Sequence, residues 1–296
     1  MINALKKYKA YHLSPKVLAF LSKYKYTFNP SLVIHDEVNY LAIRVYDNVS
    51  KSILALLLIW QDDKEEIVTI NLTDYFKEKL NFSKVADPKL FLMEGQVYGS
   101  FNTSHATDKP NELALFQLNG SKIENYYLCN YNERMRTEKN WAFFYKNQTL
   151  FALYSLEPLT VLKAETIDKD QIVFKKYFED KTQNYKDHSI GTPLIELENG
   201  YGFMAHKKYY RKRKRLYLGK PCLFNFENGF KLKVKRQFYF HSYKSLLGEK
   251  FKFNKNLISC TYFSGICRKK DKLILGYGIN DIDWNIVVLN KNKLWH

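Results

Sequence analysis

Arg44, Asp87, Lys139, His206 and Asp281 are the residues of this chain whose types fit one shared chemistry. A carboxyl group can give or take a proton at a breaking bond, and cations around it can hold an anionic reactant such as phosphate. Inverting hydrolysis calls for a second carboxylate to activate water, whereas an attacking phosphate arrives already charged. Asp87 among Arg, Lys and His therefore points to transfer to or from phosphate, with Asp281 available as a second carboxylate. Each residue also has a plainer reading. An Asp before Pro commonly opens a turn, a lysine is commonly solvated, and a strand-end histidine is commonly just hydrogen-bonded. The five lie far apart in the chain, so only an element repeated at matching intervals can bring them together.

Such a repeat is present. FNPSLVIHDEVNYLAIR (Phe28 to Arg44), ADPKLFLMEGQVYGSFN (Ala86 to Asn102), KNWAFFYKNQTLFALYS (Lys139 to Ser155), GTPLIELENGYGFMAHK (Gly191 to Lys207) and YFSGICRKKDKLILGYG (Tyr262 to Gly278) align. Each opens on an anchor, then runs through an apolar stretch, a turn rich in Asp, Asn, Gly or Lys, and a second apolar stretch. That is the pattern of a β-hairpin. The anchors Asn29, Asp87, Asn140, Thr192 and, more weakly, Phe263 are spaced by 58, 53, 52 and 71 residues, enough for a four-stranded sheet each time. Further strand-like runs fill the intervals: Ser52 to Trp60, Glu66 to Thr73, Glu112 to Leu118 and Lys231 to Phe240. Long helical periodicity is absent after the first thirty residues or so. The expected fold is all-β, a five-bladed β-propeller over 28–296 with a short helical extension, 1–27, packed on it. A β-sandwich would leave unexplained why Arg44, Asn102, Ser155, Lys207 and Gly278 all fall 15 residues after their anchors. In a propeller, equivalent positions converge on one channel, and repeat position becomes an argument for proximity.

Composition narrows the rest. Apolar residues make up 46% and aromatics 16% of 296 residues, which excludes a disordered chain. Lys and Arg number 47 against 30 Asp and Glu, so the surface attracts phosphate groups, nucleic acid or anionic lipid. The densest basic run, Lys207 to Lys220, reads as a solvated hairpin, with an RNA-binding stripe as its rival. Cys129, Cys222, Cys260 and Cys267 show no metal-ligand spacing, and they suit a reducing compartment. The apolar stretch Val17 to Leu21 is too short for a signal sequence or a membrane span. A cytoplasmic protein is expected, with a peripheral place at the inner membrane face open to it.

The same segments carry a family resemblance. FNPSLVIHDEVNYLAIR is similar to an NPS...YLxYR opening, VADPKLF to an EDPR motif and TEKNWAFF to an EKNW motif. GTPLIELENGYGFMAH is similar to G(S/T)PPI...GWLxxxH, and DKLILGYGINDID to a final SYGxxD motif. In this order they resemble the five-bladed mannoside phosphorylases, glycoside hydrolase family 130, and their glycosyltransferase relatives. The resemblance implies that Asp87 is the general acid toward the bridging oxygen, in some members relayed through a sugar hydroxyl. It implies that Arg44, Lys139, His206 and Asp281 line the sugar and phosphate subsites, and Asn102, Asn140 and Tyr277 complete the expected substrate-binding set. Ala86 in place of Glu and Lys89 in place of Arg depart from the pattern and alter the charge around Asp87.

The expected function is a glycosyltransferase of bacterial surface or capsular polysaccharide synthesis. It would take a nucleotide sugar or sugar phosphate as donor and a glycan as acceptor, against an anionic membrane. An inverting phosphorylase on mannoside-like substrates and a non-catalytic carbohydrate-binding propeller are the alternatives. Nucleic acid is the least favoured partner, and no cofactor or metal is implied.

Overall fold

All five aligned segments fold as antiparallel hairpins. Their strand pairs are Tyr26–His35 with Val38–Asp47, Ala86–Met93 with Gln96–Asn102, and Ala142–Lys146 with Thr149–Leu156. The fourth is Ile195–Leu197 with Gly200–Arg211, and the fifth Leu257–Lys269 with Lys272–Ile279. The computed structural model describes residues 2–104, 110–226, 229–247, 253–290 and 294–295.

Further strands turn each hairpin into an antiparallel meander. Ser52–Gln61 and Ile67–Asn71 extend the first, Leu113–Asn119 and Lys122–Tyr131 the second, and Leu159–Ile167 and Gln171–Asp180 the third. The fourth continues into Lys214–Asn225 and Lys231–Val234, and the fifth into Asp283–Asn290. Beside that last strand the N-terminal segment supplies an outer partner, through an antiparallel bridge from Ala10 to Val287. Parallel pairing of Gln171–Asp180 with Lys122–Tyr131 fuses the second and third meanders into one sheet.

Apolar clusters lie between neighbouring meanders rather than in one central core. Leu115 and Phe91 meet Trp141 and Phe143 between the second and third, while Ala142 and Phe144 meet Phe203 and Phe224 between the third and fourth. Met204 and Ile195 meet Phe263 and Leu275 between the fourth and fifth. The first meander packs on both sides, on Leu90 and Phe116 of the second and on Ile274 and Ile286 of the fifth. Phe143 and Phe144 thus face opposite neighbours, as the two-residue period of a strand requires. Burial on both faces is why these strands read as continuous apolar runs instead of alternating ones. The architecture is all-β and propeller-type, with each meander packed on the next and the last packed on the first.

Two expected strands are shorter than their apolar patterns. Glu66 to Thr73 yields a strand only to Asn71, because the Asn71 side chain accepts from the Thr73 and Asp74 N–H groups and caps a helix over Leu72–Leu80. Lys231 to Phe240 divides into Lys231–Val234 and Phe238–Phe240, the second piece pairing in parallel with Ile2–Ala4. In the N-terminal segment, a helix over Pro15–Leu21 buries Val17 and Leu21 against the first meander. No described helix is long and apolar enough to cross a membrane. All four cysteines are free and buried.

Candidate active site

Asn29 and Asp87 lie in breaks of the first strand of their repeats, and Phe263 borders one. Register shifts fall between Phe28 and Ser31, between Ala86 and Lys89, and between Phe263 and Gly265. Asn29, Asp87 and Asn140 take left-handed φ values of 55°, 49° and 65°. Asn and Asp tolerate that conformation better than other residues with a side chain, which accounts for their recurrence at this repeat position. Such backbone rotation in a bulge re-aims a side chain, here toward the equivalent positions of neighbouring meanders. The 15-residue offset has a matching cause. Phe28 pairs with Arg44, Ala86 with Asn102 and Tyr262 with Gly278, so the offset residue closes each hairpin directly beside the anchor.

Asp87 stands at the centre. Its Oδ1 accepts from the Arg44 Nη1 at 3.0 Å and from the Asn29 Nδ2 at 3.1 Å, and both side chains of the ion pair are mostly buried. Arg44 also lies over the Phe28 ring, 5.0 Å from its centroid. Asn29 is itself wedged against Gly278, where an added Cβ would collide with the Asn29 Oδ1 and stand 2.9 Å from its backbone nitrogen. Gly278→Ala is therefore expected to displace Asn29 and cost about 1–3 kcal/mol through overpacking. Thermal unfolding would read this as a lower Tm, and an unchanged Tm would show that the neighbour gives way freely.

Lys89, two residues beyond Asp87, is buried, and its Nζ donates to the Asn140 Oδ1 at 3.0 Å. The Tyr262 hydroxyl donates to the same oxygen at 3.1 Å. Burial, with Lys139 adding to it against the pull of Asp87, lowers the Lys89 ammonium to about 7. Lys139 itself is exposed. Its place is set by the neighbours in its motif: buried Glu138 accepts from the Trp141 indole at 2.9 Å and from the Tyr154 hydroxyl at 2.8 Å, pinning the loop that carries Lys139 and Asn140.

The two acidic groups are held apart in acidity. Burial pushes the Asp87 carboxyl up, but Arg44, Lys139 and Lys89 together pull it below the ordinary aspartate value. Asp281 is pushed up, first by burial and then by the Asp87 charge, against the opposing pull of Arg44. Lys208, on the second strand of the fourth meander, is lowered to about 8 by burial and by the charges of Lys139 and Arg215. The arrangement is an ionised carboxylate, a second carboxyl that protonates more readily, and four cations around them.

Arg44, Asp87, Lys139, Asn140 and Asp281 thus come together as their repeat positions require. Three expected ligand residues stand one layer back. His206 is fully buried, and its Nε2 accepts from the Phe263 N–H at 2.8 Å beneath the Tyr262 ring, with centroids 4.4 Å apart. Burial, then the Lys89 charge, keeps it neutral. Asn102 spends its amide on the backbone, donating to the Ala86 carbonyl at 3.2 Å and accepting from the Ser104 N–H at 2.9 Å. Tyr277 is a core residue, its ring tilted against Phe263, with its hydroxyl 3.2 Å from the His241 Nδ1. His206 and Asn102 fix backbone at or beside an anchor, and Tyr277 packs behind the fifth. Sequence alone singles out neither Tyr262 nor Lys208 for the site, and it marks Lys89 only as a departure from the family pattern beside Asp87. Tyr262 had a usable signal, since it precedes the fifth anchor as Phe28 and Ala86 precede theirs.

Six buried side-chain polar atoms lack a partner among the described residues, and four belong to this neighbourhood: Asn29 Oδ1, Arg44 Nε, His206 Nδ1 and Asn280 Nδ2. Buried polar groups are rarely left unpaired, and such a concentration marks a place built for something other than stability.

No family model matches the chain, and no curated protein sequence does. Solved structures do. A glycosyl hydrolase from Bacteroides ovatus aligns with a TM-score of 0.68 at 13% identity, over 98% of this chain and 95% of its own. A structure from the GH130 family of mannoside phosphorylases, described as containing glycoside hydrolases that target β-1,2 mannosidic linkages in Candida mannan, aligns at 0.65 and 14% identity. That alignment covers 90% of this chain and 85% of the other. β-1,2-Mannobiose phosphorylase from Listeria innocua, in complex with β-1,2-mannobiose, aligns at 0.57 and 14% identity over 92% of each chain. This chain shares their fold.

Proposed function

We propose that the chain is an inverting glycoside phosphorylase acting on mannosides, built as a five-bladed propeller with Asp87 as its proton-transferring group. The observation that carries the reading is a single low-lying carboxylate with Arg44, Lys139 and Lys89 around it. A buried ammonium that, among the described residues, has no carboxylate within ion-pair distance, as Lys89 is, suits an anionic co-substrate that arrives and leaves. Phosphate held there attacks the anomeric carbon as the glycosidic bond breaks, and the leaving oxygen takes up a proton through Asp87. The products are a sugar 1-phosphate of inverted configuration and the shortened glycan. Similarity to the mannobiose phosphorylase fold supports this reading over the transferase expectation, for which no comparable support exists.

Asp281 favours a second reading. A second carboxyl on the same funnel could activate water, which would make the reaction a hydrolysis. One experiment separates the two: incubation with β-1,2-mannobiose, with and without inorganic phosphate, and mass spectrometry of the products. Mannose 1-phosphate formed only with phosphate supports the proposal. Free mannose at equal rates in both arms would make the protein a hydrolase, and no product in either arm would overturn the reading.

A further inference from the structure

The longest hairpin of the fourth meander, Gly200–Arg211 with Lys214–Asn225, rises on the side of the molecule where the anchors lie. Its lower rungs belong to the site. Lys208 pairs with Tyr217 across the hairpin, and Arg215 lies close enough to Asp281 to pull down its raised pKa. Three residues further along each strand, about 10 Å beyond, stand Arg211, Lys212, Arg213 and Lys214, all exposed. Lys207 is already engaged, with Asp187 at 3.7 Å. Among the described residues no ion pair joins any of the four tip cations to a carboxylate.

The tip is also costly as a turn. Lys212 and Arg213 take left-handed φ values of 46° and 62°. Two-residue turns of this hand favour Asn, Asp and Gly. Two other turns of the same hand in this chain, Asp36–Glu37 and Asn147–Gln148, place Asp or Asn first, whereas this one carries two cations. A residue type chosen against local preference, and left without an internal partner, points to a ligand outside the fold.

We infer that this hairpin holds the far part of a negatively charged glycan, bearing phosphate or carboxylate groups, whose near end occupies the Asp87 site. The inference rests on the glycan-active reading above. Cations run without interruption from Arg44 and Lys89 at the floor, through Lys139, Lys208 and Arg215 at the rim, to the tip. Such a track suits an extended chain with charge along its length. Exposed Tyr209 and Tyr210 flank it and offer flat apolar faces to sugar rings. A membrane is the weaker fit, because the tip itself carries only cations and no side chain that would enter lipid.

Calorimetry on the full chain tests this with a phosphorylated mannan oligosaccharide, its dephosphorylated form and an oligogalacturonate. The comparison protein is the quadruple variant Arg211→Gln, Lys212→Gln, Arg213→Gln, Lys214→Gln, with an unchanged circular dichroism spectrum as the check on folding. Wild-type protein is expected to bind the phosphorylated form about tenfold or more tightly than the neutral one, with the gap closing at high salt and in the variant. Turnover of β-1,2-mannobiose, too short to reach the tip, should be the same in both proteins. Equal affinity for charged and neutral glycans, or a preference that survives in the variant, would overturn the inference. So would tighter retention on phosphatidylglycerol vesicles or a single-stranded oligonucleotide than by any glycan. Hairpin-dependent binding of oligogalacturonate without mannobiose turnover would keep the inference and remove the mannoside reading.

Discussion

Replacing Asp87 with Asn is expected to lower kcat by about 10²–10⁴-fold, the usual range for a positioned acid or base. Asn retains the size and can still accept from Asn29 and Arg44. It removes the charge that balances Arg44, Lys89 and Lys139, so Tm should also fall, and assays belong well below the new Tm. The carboxyl is held low in the free protein, which poses a problem for a proton donor. Phosphate supplies the solution. A dianion seated among the cations that pull Asp87 down offsets their effect, and the carboxyl then rises and takes up a proton as phosphate binds. Calorimetry at pH 6, where Lys89 is already charged, in two buffers of different ionisation enthalpy gives the net proton count; the proton that monoanionic phosphate releases on binding as the dianion is common to both proteins, so wild type should differ from Asp87→Asn by the proton that Asp87 takes up. Near wild-type turnover by the variant would remove Asp87 from the chemistry. Lost sugar binding together with lost turnover would make it a sugar ligand instead.

Lys89→Met carries the second large effect, and it works in opposite directions on function and stability. Removing a buried ammonium relieves its desolvation cost, so the variant is expected to unfold at a temperature higher by about 2–6 °C. Phosphate affinity should fall about tenfold or more, since a charged hydrogen bond to the anion is lost. The pH dependence follows from the sign of the shift. Lys89 sits at about 7 when folded and at its ordinary value of 10.5 when unfolded. Between those values the unfolded chain binds more protons, so stability rises with pH across that window, and the Met variant should lose that rise. For function the order is reversed. The charge is present below about 7 and lost above it, so the KM for phosphate should climb as pH passes through 7. Lys89→Arg keeps its charge throughout. Its KM profile isolates the Lys89 contribution from the ionisation of phosphate itself, and identical profiles for wild type and Lys89→Arg would sink the assignment.

Repeat offset and hairpin pattern were enough to place Arg44, Asp87, Asn140 and Asp281 together. Strand pairing converts a fixed number of residues into a fixed position, so a 15-residue offset in sequence becomes a side-by-side pair in space. Chain-local signals also specified the hairpins and the apolar strands. What such signals cannot contain is the environment each side chain acquires from other meanders. His206 reads as a polar strand-end residue, and only the packing of the fifth meander on the fourth turns its Nε2 to the Phe263 N–H and seals it from solvent. Lys89 reads only as a departure from the family pattern that alters the charge around Asp87. Its burial and its contact with Asn140 come from a residue 51 positions away on another meander, and its lowered ammonium is a product of that packing. Residue order thus determined which groups meet, because backbone pairing is periodic. Tertiary structure decided their charge states and which of them a ligand can touch, because desolvation and long-range Coulomb interactions depend on neighbours that no local pattern records.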